Sequence, residues 1–87
     1  MAIWNYGAVM DRTPLDSTTL SSAGYDASTR VLELEFRHGA LYRYLSVPAP
    51  LYRDLLAADS KGRFFNRFIR DCFPYTLVAT DATAKTI

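Results

Sequence analysis

The chain has 87 residues, enough for one small domain with a modest core, and its 49% hydrophobic and 22% charged residues exclude general disorder. The net charge of +1 hides an uneven placement: from Arg30 to Arg70 eight Lys/Arg stand against four Asp/Glu, which suits local attraction of an anion and not strong coating of DNA. Cys72 is the only cysteine, which excludes an intrachain disulfide and a multi-cysteine metal site; no stretch approaches a membrane span, and the start lacks a basic region ahead of an apolar run, so a cytoplasmic chain without metal or cofactor is expected.

Residues 1–18 show no sustained periodicity and carry Gly7 and Pro14, which predicts an irregular arm whose Ile3, Trp4, Tyr6, Val9 and Met10 are free to dock on something. Thr19 to Tyr25 reads as a first strand, closed by the turn-forming run Asp26-Ala27-Ser28-Thr29. Arg30 to Arg37 alternates, with Leu32, Leu34 and Phe36 on one side and Glu33, Glu35 and Arg37 on the other, as a half-buried strand does. Ala40 to Val47 is the returning strand, and two registers compete for it. A two-residue loop at His38-Gly39 would place Arg43 opposite Leu34 on the apolar side. A three-residue loop Arg37-His38-Gly39, with Gly39 in a left-handed bulge position, pairs Leu34 with Tyr42, Leu32 with Tyr44 and Glu33 with Arg43, and keeps charge out of the core. The second register is the expected one.

Pro48-Ala49-Pro50 ends that strand and starts a helix whose apolar face is Leu51, Leu55 and Ala58, flanked by Tyr52 and Leu56. Asp59 or Ser60 breaks it and caps a second helix reaching about Asp71, and Pro74 stops that helix before a short C-terminal strand over Tyr75 to Thr80. The segment 81–87 is small, polar and expected to be a flexible tail. At about 100° per residue, Arg63, Arg67 and Arg70 form one stripe of the second helix, while Phe65, Phe68, Ile69 and Cys72 form the opposite, core-facing side. Cys72 is accordingly expected to be a small buried hydrophobe. The expected fold is α+β: a three-stranded antiparallel β-meander with two consecutive helices packed on one face and the short C-terminal strand as an addition.

Several of these stretches come in a familiar order: Gly24-Tyr25-Asp26, the run from Leu32 to Gly39, Tyr42-Arg43-Tyr44, Val47-Pro48, the run from Ala58 to Asn66, Ile69-Arg70 and Pro74-Tyr75. The segment resembles the KTSC domain, named for its occurrence at the C-terminus of some lysyl-tRNA synthetases and found also as a small stand-alone bacterial or phage protein. The resemblance covers about fifty to sixty residues of a single domain over 19–80, and through the synthetase context it implies RNA binding.

The residues themselves supply candidates for such binding. Arg63, Arg67 and Arg70 could track phosphates, helped by Lys61, since no acid lies between Ser60 and Arg70 to neutralise them; a merely solvated helix face is the plainer reading. Ser60, Lys61 and Gly62 open the helix and form a candidate anion-binding N-terminus, or else Ser60 simply caps while Gly62 makes room for a neighbouring side chain. Tyr42 and Tyr44 could stack on bases, although the expected register places them in the core, with Arg43 as a partner for Glu33. Asn66, beside the ridge, could read a base edge or hold a loop. His38 is a turn residue with no triad or metal set around it. Glu33 and Glu35 look like a charged exposed face and not an acid/base pair. The leading expectation is therefore a non-catalytic nucleic-acid-binding module for RNA or single strands. The rival is a protein-interaction domain that docks through its N-terminal apolar arm.

Overall fold

A computed structural model describes residues 12–79, so the apolar arm residues Ile3, Trp4, Tyr6, Val9 and Met10 and the tail 81–87 lie outside the described residues. Five strands form one antiparallel sheet in sequential order: β1 (Arg12–Pro14), β2 (Leu20–Asp26), β3 (Val31–Phe36), β4 (Leu41–Tyr44) and β5 (Tyr75–Ala79). Between β4 and β5 come α1 (Ala49–Ala57) and α2 (Lys61–Phe64), which runs straight into a π turn over Phe65–Ile69. The α+β class stands, but the meander has five strands and not three. The C-terminal strand is a full sheet member, and β1 lies inside the segment expected to be irregular. Three residues ending in Pro14 leave no alternation to detect, and proline is tolerated there because β1 is an edge strand.

The β3–β4 hairpin adopts the three-residue loop. Leu32 faces Tyr44, Glu33 faces Arg43 and Leu34 faces Tyr42, with Gly39 at φ 102°. That positive φ is available to glycine at little steric cost, so the bulge fixes the register that keeps Arg43 out of the core. A second irregularity, between Leu20 and Ser22 on β2, lets Leu20 return to the same side as Ala23.

The core forms where that side of the sheet meets the helices: Leu20, Ala23, Leu32, Leu34, Phe36 and Tyr44 pack with Val47, Leu55, Phe65 and Ile69. Tyr25 seals one end, stacking on Tyr52 at 5.0 Å and donating its hydroxyl to the Val47 carbonyl at 2.5 Å. On α1, Leu55 is buried, with Leu51, Tyr52 and Leu56 packed partly against the core, as the helical period predicts. Ser60 caps α2 by accepting from the Arg63 N–H at 3.3 Å.

The opposite side of the sheet corrects the expectation of an exposed charged face. Glu33 is fully buried, with Arg12 donating to one carboxylate oxygen and Arg43 Nε donating to the other at 2.7 Å. Ser22, also buried, donates to Glu35 at 3.0 Å and accepts from Arg12 at 3.4 Å, so one polar network ties β1, β2, β3 and β4 together.

Candidate nucleic-acid interface

The π turn decides where the candidate residues go. The Arg70 N–H donates to the Phe65 carbonyl at 2.9 Å, an i to i+5 bond, so this turn holds one residue more than an α turn and everything after it lags by about 100°. Phe65 and Ile69 stay buried, because four residues nearly complete the wider turn. Phe68, three residues on, does not return to that side and is 45% exposed, leaning on Phe64 at 4.8 Å. Cys72 is exposed as well. Both were expected in the core on a uniform α-helical period, and the inserted residue is the reason they are not.

The same phase lag divides the arginine stripe. Arg63, ahead of the turn, lines a cleft of about 430 Å³ with Lys61, Asp16, Asp59 and Ser60. Arg67 stays on the outer surface with its guanidinium 5.4 Å from the Phe68 ring centre. Arg70, after the turn, lines a second cleft of about 430 Å³ with Tyr42, Tyr44, Tyr75, His38 and Asp71. Thr19 and Asn66 border both clefts, so the two are neighbours across a shared wall.

The second cleft is walled by aromatic rings. Tyr75 on β5 sits across from Tyr44 on β4, with ring centres 5.5 Å apart, and lies 5.6 Å from Tyr42. Behind them Phe65 packs edge-on against Phe36 at 5.2 Å and Tyr44 at 5.7 Å, and His38 stacks on Phe36 at 5.5 Å. Tyr44 is 4% exposed and belongs to the core, Tyr42 is half-buried, and Tyr75 is 57% exposed. The accessible ring of this cleft is thus Tyr75, which the sequence reading did not single out. Only the β4–β5 pairing, Tyr44 with Tyr75, reveals it. Asp71, which follows the π turn, and Thr19, which precedes β2, were missed because only packing brings those segments beside that ring.

The residues at the start of α2 are engaged within the chain. Lys61 Nζ donates to the Ala58 carbonyl at 2.8 Å, and Ser60 serves as the cap. A Cβ on Gly62 would come within 2.6 Å of Thr19 Oγ1, so its bare Cα makes room for that side chain. Arg43 is paired with Glu33, as the register predicts. Among the described residues no group of three or more His, Cys, Asp or Glu comes together, and no helix is long and apolar enough to cross a membrane.

Residues 16–73 of the chain match the KTSC domain. The chain belongs to the KTSC domain family. A crystal structure of a KTSC domain protein from Yersinia pestis superposes with a TM-score of 0.78 at 38% identity, covering 80% of this chain and 99% of that one. An uncharacterized protein of Stutzerimonas stutzeri (strain A1501) is 49% identical over 61 residues, 70% of this chain and 86% of the relative. A lysine–tRNA ligase of Nostoc punctiforme is 35% identical over 60 residues, 69% of this chain but 11% of the ligase. The KTSC domain thus occurs both as a small protein and as a short segment of a tRNA ligase.

Proposed function

We propose that this KTSC domain is a non-catalytic module that binds single-stranded nucleic acid, RNA in particular. The observation that carries the reading is the adjacency of the two clefts: an open aromatic ring, Tyr75, beside Arg70 on one side of Asn66, and Lys61 with Arg63 on the other. A splayed base stacks on a tyrosine while the backbone runs past guanidinium and ammonium groups, which is how single strands are commonly held. Asp16 and Asp59 equal Lys61 and Arg63 in number in that cleft, so attraction is local to the two cations, and weak, salt-sensitive affinity is expected. The occurrence of the domain in lysine–tRNA ligases supports RNA as the ligand class.

The test is a titration of labelled single-stranded RNA at two salt concentrations. Binding should weaken with salt, and Arg63→Ala should lower the salt slope by about 0.7. Tyr75→Ala should weaken binding by about 1–3 kcal/mol. Absence of binding at low salt, or indifference to both substitutions, would overturn the reading.

A further inference from the structure

We infer that the aromatic cleft is a guanine-selective base site, with Asp71 and Arg70 reading two edges of the ring; this rests on the RNA-binding reading above and adds a base identity to it. A cation and an anion from successive residues line the cleft together with its aromatic wall. Both charges act on one point inside it, the Tyr44 hydroxyl, in opposite senses. The Asp71 carboxylate accepts no hydrogen bond among the described residues, and Arg70 makes only a 3.5 Å contact to Asn66 Oδ1, so both groups keep capacity for a ligand.

A carboxylate is acceptor-only and suits two neighbouring donors. Guanine alone among the four RNA bases presents such a pair, N1–H and the N2 amine, on its Watson–Crick edge. Cytosine and adenine place an acceptor next to their amine, and uracil flanks its single donor with two carbonyls, so each would set a lone pair against one carboxylate oxygen. Guanine also carries O6 and N7, the acceptor pair that an arginine fork addresses most often. Tyr75, the exposed ring of the cleft, supplies a face for the base.

The experiment titrates the full chain with single-stranded oligouridine carrying one central guanosine, adenosine, cytidine or inosine, and separately with guanosine and adenosine 5′-monophosphates. Guanosine should bind about tenfold more tightly than adenosine or cytidine. Inosine, which lacks the N2 amine, should lose most of that preference. In Asp71→Asn the guanosine-to-adenosine ratio should fall to near one, since an amide offers one acceptor beside a donor. Equal affinity for all four oligonucleotides, or a preference that survives both inosine and Asp71→Asn, overturns guanine selection while leaving RNA binding standing. Binding of free guanosine monophosphate in preference to the adenosine one, with no oligonucleotide bound, would instead support the base site and overturn the RNA reading. No binding of any probe overturns both.

Discussion

Tyr44 sits where core and cleft meet, and its chemistry reports on both. Burial pushes its phenol up to about 12, with Tyr42, Tyr75 and Asp71 adding to the shift and Arg70 opposing it. In the unfolded chain the phenol ionises near 10, so the unfolded state loses its proton first as the solution turns alkaline. The stability tied to this group is therefore complete below about pH 10 and is lost as the pH rises through about 12. Tyr44→Phe should move the alkaline unfolding midpoint upward, followed by circular dichroism beside tyrosinate absorbance; an unchanged midpoint would show that another group governs the transition. Glu33 is the counterpart on the other side of the sheet. A buried carboxylate is tolerable there because two arginines donate to its two oxygens, which leaves neither oxygen unpaired.

At the scale of elements, the junction of β2 with α2 depends on one missing methyl group. Gly62 lies against Thr19, the residue just before β2, and an added Cβ would overlap both Oγ1 at 2.6 Å and Cβ at 3.1 Å. Gly62→Ala gains about 1 kcal/mol of helix propensity but overpacks a tight contact at about 1–3 kcal/mol, so it should be neutral to destabilising. In a Thr19→Ala background, which removes Oγ1 but keeps the Cβ contact at 3.1 Å, the same change should cost less, and a double-mutant cycle by urea unfolding that finds no coupling would sink this account. Thr19 and Asn66 also form the wall between the clefts, so the same junction spaces Arg63 from Arg70. The π turn completes that separation, and such turns are frequent at functional sites. The alternative of one continuous arginine ridge would require an unbroken α-helix through Asp71.

Over the whole molecule, the two edges of the sheet are treated differently. β1 is three residues long and ends in proline, whereas every residue of β5 is exposed, with Leu77 and Val78 apolar and no charge among Tyr75–Ala79. Such an edge favours pairing with another strand. Concentration-dependent association is expected in light scattering, and Leu77→Lys should suppress it; a monomer at every concentration would show that the β5 edge is otherwise protected. The order of the elements from β2 onward, the hairpin register, the Ser60 cap and the apolar face of α1 were determined by the sequence itself. Each follows from alternation, loop length or residue type within about ten positions, and local sterics enforce them. The burial of Glu33, the exposure of Phe68 and Cys72, the dispersal of Arg63, Arg67 and Arg70, and the arrival of Tyr75 and Asp71 beside Tyr42 were decided only by the tertiary structure. They depend on strands far apart in the chain coming together, and on one extra residue in a helical turn, which no local period encodes.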